Sequence, residues 1–124
     1  MTYKSEIWLM ETRGMICELN KIIIKLECNK EQHNTPMAYT KTDFKAFAKK
    51  VVRRKSRAEY LIRQVNNFKM QRILQKYYID GLTWECISED MGCSVRWIYV
   101  LHKRALPLIE NVFINLNEFL NSSL

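Results

Sequence analysis

Residues 83–104 read TWECISEDMGCSVRWIYVLHKR, which has the spacing of two short helices joined by a tight turn. Gly92 falls between the two helices, where the chain needs a positive φ that glycine adopts without steric cost. Ser88 is small enough to let the helices cross closely. The apolar positions follow helical spacing around this turn: Ile87, Met91, Cys93, Ile98 and Leu101. The stretch therefore predicts a helix-turn-helix, which holds its second helix rigidly enough to enter a DNA major groove.

Polar residues at the start of each predicted helix support this interpretation. Thr83 and Ser94 each precede a helix and can accept hydrogen bonds from amides that have no partner within it. Glu85 lies in the first turn, where negative charge suits the helix dipole. An ordinary helical hairpin with a glycine turn is the alternative interpretation. Such a hairpin does not require the small residue, the glycine and both caps in register.

The composition of the 124-residue chain predicts an all-α protein. Hydrophobic residues make up 48% of the chain, which is enough for a core. The chain has only three glycines and two prolines, and no apolar residues alternate over a sustained stretch as they do in strands. The length fits one compact domain, or a small domain with a helical extension.

The cysteines and the apolar runs indicate the cellular compartment. The four cysteines form no CxxC pair and have no histidine at a metal-ligand spacing, so Cys86 and Cys93 are predicted to be small hydrophobic residues. No signal peptide is recognisable, and the isoleucine run at residues 22–24 is far too short to cross a bilayer. The sequence predicts a cytoplasmic protein with no metal, no cofactor and no membrane partner.

The positive charge of the chain is concentrated in one segment. The net charge is +7, and residues 41–57 contain eight basic residues and one acidic residue. A basic stripe upstream of a helix-turn-helix is expected to attract the phosphate backbone of nucleic acid. The alternative is a solvated helix face that only aids solubility.

Residues 1–32 are predicted to form one long amphipathic helix. Its apolar seam repeats with three-four-three spacing, which favours a dimerisation helix. The seam consists of Ile16, Leu19, Ile23 and Leu26. Packing of this helix on the rest of the same chain is the alternative.

The rest of the chain divides into a linker at residues 33–41, a domain at 42–106 and an amphipathic helix at 107–124. The domain starts with the basic helix, which is expected to bend near Ser56, and ends with the helix-turn-helix. Pro107 cannot donate a backbone hydrogen bond, so it is expected to kink the second helix of the motif or to open a new one. The predicted fold is an all-α three-helix core with a C-terminal helix-turn-helix, a long N-terminal helix and an amphipathic tail helix.

The recognition helix is placed at residues 94–105, with Ile98 and Leu101 facing inward. On the opposite face Arg96 can contact guanine O6 and N7 together, and Val95 can touch a thymine methyl group. Lys103 suits the phosphate backbone. The predicted DNA contacts are Thr83, Ser94, Val95, Arg96, Tyr99, Val100, Lys103 and Arg104, together with Lys49, Lys50, Arg53 and Arg54 of the basic helix.

No catalytic constellation is recognisable, so the chain is not expected to be an enzyme. Glu85, Glu89 and Asp90 lie on one helix without a histidine, lysine or metal ligand at a useful spacing, and are interpreted as a solvated face. His102 is expected on the exposed side of the recognition helix, as no more than a weak DNA contact.

Residues 77–106, YYIDGLTWECISEDMGCSVRWIYVLHKRAL, resemble region four of bacterial sigma factors, which reads the promoter −35 element. The closer resemblance is to small sigma-region-four-like proteins of phages and prophages of Gram-positive bacteria, of the RinA and ArpU types. The Trp84–Glu85 pair is typical of that group. The resemblance implies a late transcriptional regulator in a bacterial host cell. Sigma factors carry charged residues where this chain has Val95, Trp97 and Val100, so their DNA preference does not transfer.

Three functions follow from these features. The first is a sequence-specific regulator of phage or prophage genes that binds double-stranded DNA as a homodimer. The second is a protein-interaction module for host RNA polymerase or another host protein, which the apolar residues of the recognition helix favour. The third is the DNA-recognition subunit of a packaging complex, because small terminase subunits also join a helix-turn-helix to helical oligomerisation segments.

Overall fold

The computed structural model describes residues 2–29 and 41–122, and these residues form helices with short connections and no β-strand. The helices are α1 Lys4–Asn29, α2 Lys41–Arg63, α3 Phe68–Leu74, α4 Trp84–Met91 and α5 Val95–Ser122. Helix α3 continues into one π-helical turn, Gln75–Ile79. The prediction of an all-α protein is confirmed. No helix in the described ranges is long and apolar enough to span a membrane.

Helix α1 packs on the rest of its own chain. Leu9 is fully buried and belongs to one core cluster with residues of α2, α3, α4 and α5. Ile16 is 9% exposed and belongs to the same cluster, against which Leu19 also packs. The prediction of a dimer seam is therefore wrong for Ile16 and Leu19, whose apolar surface is used within the chain. Ile23 is exposed and Leu26 half-buried, so dimerisation through these two residues stays a prediction.

Polar contacts fix the start of α1 on α5. Both the backbone amide and the hydroxyl of Ser5 donate to one carboxylate oxygen of Glu110, at 2.8 and 2.5 Å. Ser5 is fully buried, so water cannot accept hydrogen bonds from its amide and hydroxyl, and the Glu110 carboxylate accepts them instead. Nearby, the rings of Trp8 and Phe113 lie 5.9 Å apart. The first turn of α1 is thus capped by a side chain from the far end of the sequence.

The helix that carries the basic residues is not interrupted at Ser56 and ends further along the chain. Helix α2 runs without interruption to Arg63, and the chain turns at residues 64–67. Asn67 has an extended backbone and its side chain accepts from the Met70 amide at 3.0 Å, which starts α3. The expected bend at Ser56 is therefore wrong. The predicted linker lies outside the described residues except for Lys41, which begins α2.

Helix α5 passes through Pro107 as one 28-residue helix. The missing N–H of Pro107 leaves the carbonyl four residues earlier without its helical partner. Pro107 is exposed, so water can reach this part of the helix. Ala105 and Ile109 are both fully buried, and their packing keeps the helix continuous on its inner side. The predicted boundary between a recognition helix and a separate tail helix at 107–124 is therefore wrong.

Candidate nucleic-acid interface

Helices α3, α4 and α5 share one apolar centre. Helix α4 contributes Ile87, which is fully buried, and α5 contributes Ile98, which is also fully buried. Leu74 and Tyr78 cover them from the preceding helix, and both belong to the same cluster. The inward-facing positions predicted from the sequence are therefore brought together.

The connection between α4 and α5 has the predicted local geometry. Gly92 has φ 66° and ψ 30°, and its amide donates to the Ser88 carbonyl. The Ser88 hydroxyl donates to the Cys93 carbonyl across the turn. Thr83 accepts from the Cys86 amide at 3.2 Å, and Ser94 accepts from the Trp97 amide at 3.1 Å. Both predicted N-caps and the glycine turn are confirmed.

Two glycine substitutions are expected to change stability in opposite directions. Gly92→Ala adds a Cβ with no atom within 4 Å, so the strain comes from the positive φ alone. We expect it to lower the free energy of unfolding by about 1 kcal/mol. Gly14→Ala also meets nothing within 4 Å but lies inside α1, where alanine is the better helix former. We expect it to raise stability by about 0.5–1 kcal/mol.

Urea denaturation followed by circular dichroism measures both variants. Each serves as the control for the other, because the added methyl group is the same and only the backbone conformation differs. A stability change of the same sign in both variants would contradict this assignment of the turn.

The outer face of α5 is open to solvent over its first three turns. Val95, Trp97 and Tyr99 are 39%, 41% and 45% exposed, which is high for large apolar side chains. Val100 is half-buried. The predicted contacts that are exposed are Thr83, Ser94, Val95, Arg96, Tyr99, Lys103 and Arg104. The face combines basic, apolar and aromatic groups, as base-edge and phosphate contacts require.

A stack of aromatic rings and one guanidinium group supports one side of this face. Tyr77 and Trp84 are stacked at 3.9 Å and 11°, and the Trp84 ring meets Tyr99 edge-on at 5.9 Å. On the far side, the Arg13 guanidinium lies 4.4 Å from the centre of the Tyr77 ring. Arg13 also donates to the carbonyls of Tyr77 and Gly81, at 2.9 and 3.3 Å. Helix α1 therefore holds the connection that leads into α4.

His102 is buried behind the outer face, and its predicted exposure is wrong. It is 5% exposed, and its Nε2 lies 2.7 Å from the Tyr78 hydroxyl oxygen. His102 follows Ile98 by four residues, so it shares the buried side of α5. Burial, with a smaller effect of Lys103, lowers the pKa of His102 to about 4. Burial likewise raises the pKa of Tyr78 well above its usual value.

The basic side chains of α2 separate into two groups. Lys49, Lys50 and Arg53 are exposed, as a phosphate-contacting surface requires. Arg54 instead turns toward α1, where it donates to the Thr12 hydroxyl at 2.9 Å and to the Trp8 carbonyl at 3.0 Å. Its predicted role as a DNA contact is therefore wrong, because the guanidinium is committed to packing between helices.

Arg54 has two further contacts with α1. Its guanidinium lies 4.3 Å from the centre of the Trp8 ring, and it pairs with Glu11 at 3.0 Å. Trp8, Glu11 and Thr12 of α1 thus meet at this one side chain of α2. The sequence shows no local signal for the roles of Arg13 and Arg54, since their partners lie more than 40 residues away.

The outer side of α4 is acidic. Glu85 and Glu89 are exposed, and Asp90 pairs with Lys76. The hydrogen bond from Lys76 lowers the pKa of Asp90. Cys86 is also exposed on this helix, so its predicted place as a small hydrophobic residue is wrong, whereas Cys93 is half-buried.

Residues 27–110 match a protein family described as a protein of unknown function, DUF1492. The chain belongs to this family. No curated protein and no solved structure matches the chain. The DUF1492 match includes α2, α3, α4 and the outer face of α5, and it ends at Glu110. It leaves out most of α1, including Leu9 and Arg13, which in this chain pack against the matched part.

Proposed function

We propose that the protein is a sequence-specific DNA-binding transcriptional regulator of phage or prophage genes. In this proposal α4 and α5 act as a helix-turn-helix on a three-helix core, and residues 94–105 lie in the major groove. The observation that carries the proposal is the exposed outer face of α5, held by a buried inner face and a capped glycine turn. A helix presented in this manner can enter a groove without unpacking the core.

The side chains of the outer face suit the two kinds of DNA contact. Arg96 lies at the centre of the exposed sector, where its planar guanidinium can bond guanine O6 and N7 together. Val95 is placed one residue earlier, near the helix N-terminus, where it can touch a thymine methyl group. Lys103 and Arg104 lie about two turns further along and suit phosphates.

The basic surface of α2 supplies the electrostatic attraction to DNA phosphates that the uncharged balance of the helix-turn-helix does not. Residues 81–106 contain three basic and three acidic side chains, so this stretch has no net charge. Exposed Lys49, Lys50 and Arg53 add positive charge outside it. Attraction to phosphates at such positions is independent of sequence and weakens as salt rises.

Replacing Arg96 by alanine is expected to weaken binding to the preferred site and to relax the preference at one base pair. The preferred site is first selected from a pool of random-sequence duplex DNA. Affinity is then measured by fluorescence anisotropy, with an expected loss of about 1–3 kcal/mol for Arg96→Ala. Lys50→Ala is expected to weaken all sequences about equally.

Lys21→Ala is the matched control, because Lys21 is an exposed basic residue on α1 and is not one of the proposed DNA contacts. It is expected to bind the selected site like the unaltered protein. The proposal fails if the unaltered protein selects no sequence, or if Arg96→Ala and Lys21→Ala behave alike.

One observation favours a second function, the binding of another protein. Val95 and Trp97 are about 40% exposed on the outer face, and apolar and aromatic side chains are common at the centre of protein interfaces. RNA polymerase of the host is the partner suggested by the sigma-like sequence. Capture of purified polymerase in the absence of DNA, lost in Trp97→Ala but not in Lys21→Ala, is the result that supports this function.

Solution mass distinguishes the remaining assembly states. A homodimer fits a regulator on two half-sites, and its candidate contact is the end of α1 with Ile23, which is 37% exposed, and the half-buried Leu26. A ring of many subunits favours the packaging function instead.

A further inference from the structure

Two aromatic–cation pairs lie on the outer face of α5, with their aromatic rings at opposite edges of that face. Lys103 Nζ is 5.0 Å from the centre of the Tyr99 ring. The guanidinium carbon of Arg104 is 5.6 Å from the centre of the Trp97 ring. Trp97 and Tyr99 are two residues apart, which puts them roughly 160° apart when measured around the exposed side of the α-helix. Arg96 falls in the exposed sector between them.

The dimensions of helix and groove determine what these edges meet. An α-helix with its side chains is about 10–12 Å across, and the major groove is about 12 Å wide. A helix in the groove therefore reaches from wall to wall. The two walls are the two sugar-phosphate strands, so the two edges of the outer face meet different strands.

We infer that the Tyr99–Lys103 pair and the Trp97–Arg104 pair each bind a phosphate, on opposite strands of the DNA. This inference rests on the proposed function. A long cationic side chain loses rotamer entropy when it is fixed on a ligand. An aromatic ring that already holds the cation reduces this loss, because part of the ordering has taken place in the free protein.

The inference gives Trp97 a role that the sequence left without one. Trp97 is a positioning residue that holds Arg104 at the edge of the face farther from α4. Tyr99 has the equivalent role for Lys103 at the other edge, where the Trp84 ring braces it. Trp97 and Arg104 are both exposed, so substitutions there are expected to leave the fold intact.

The salt dependence of DNA binding tests the two cations. Each contacted phosphate contributes about −0.9 to the slope of log K against log salt. Lys103→Gln and Arg104→Gln are each expected to make the slope shallower by about 0.9, and the double variant by about 1.8. Lys21→Gln is the matched control and is expected to leave the slope unchanged. An unchanged slope in either single variant overturns the assignment of that cation.

Uncharged phosphate analogues test the assignment to two strands. Duplexes of the selected site are made with methylphosphonates across one strand at a time. Methylphosphonates in one strand are expected to abolish the effect of Lys103→Gln on the salt slope and to preserve the effect of Arg104→Gln. Substitution of the other strand is expected to do the reverse. Loss of both effects on the same strand overturns the arrangement.

The variant Trp97→Leu separates the ring from the charge. It keeps Arg104, so the salt slope is expected to stay the same while affinity falls about 2- to 5-fold, the range of an exposed cation–π contact. Unchanged affinity overturns the positioning role of Trp97. Failure of the proposed function has a different signature, since the unaltered protein then selects no DNA sequence and shows no salt-dependent binding.

Discussion

Leu9→Ala is expected to lower the free energy of unfolding by about 2–5 kcal/mol, the range for truncating a buried leucine. Leu9 is fully buried and belongs to the cluster that also contains Ile87 and Ile98. Its loss therefore leaves a cavity in the core that supports the outer face of α5. Urea denaturation followed by circular dichroism measures the change. The expected size is a large share of the total stability of a small domain.

Met10→Ala is the matched control for this prediction. Met10 is the next residue of α1 and is 43% exposed, so its truncation is expected to change stability by no more than about 0.5 kcal/mol. Equal effects of the two variants would contradict the packing of α1 on the rest of the chain. The result also tests whether residues 42–106, predicted as one domain, depend on α1.

Acidification is expected to destabilise the protein by up to about 3 kcal/mol through His102 alone. The pKa of His102 is about 4 in the folded chain, against an ordinary value of 6.5. The unfolded chain therefore binds a proton more readily than the folded chain does. The stabilising contribution is fully present above pH 6.5 and is lost as the pH falls toward 4.

His102→Gln removes the titrating group and is expected to flatten this part of the pH profile. Asp90, whose pKa is lowered by Lys76, also loses its contribution in acid, but it does so in both proteins. The difference between the two proteins in how steeply the free energy of unfolding changes with pH is therefore due to His102. This holds even where the variant is less stable overall. Denaturation curves at a series of pH values measure the slopes. An identical slope in the variant would show that His102 is not the group responsible.

The features that the sequence predicted correctly are local ones. The caps at Thr83 and Ser94 and the turn at Gly92 each depend on residues within about five positions, so spacing alone identifies them. The helical periodicity of α5 likewise identified Ile98 and Leu101 as inward-facing. The exposed face around Arg96 follows from the same periodicity.

The features that the sequence did not predict depend on contacts between distant segments. Arg54 resembles its exposed neighbours in sequence, and only the position of α1 shows that it packs against Trp8. Pro107 is a helix breaker by local rules, but packing at Ile109 keeps α5 continuous. The exposure expected for His102 overlooked its spacing of four residues from Ile98.

The bond between Ser5 and Glu110 joins residues 105 positions apart in the sequence. During synthesis α1 leaves the ribosome before α5, and Glu110 follows Ser5 about 5–20 seconds later at ordinary translation rates. Throughout this interval the apolar side of α1 lacks the surface on α5 that covers it. The interval is therefore one in which α1 can pack on α2 but not yet on α5.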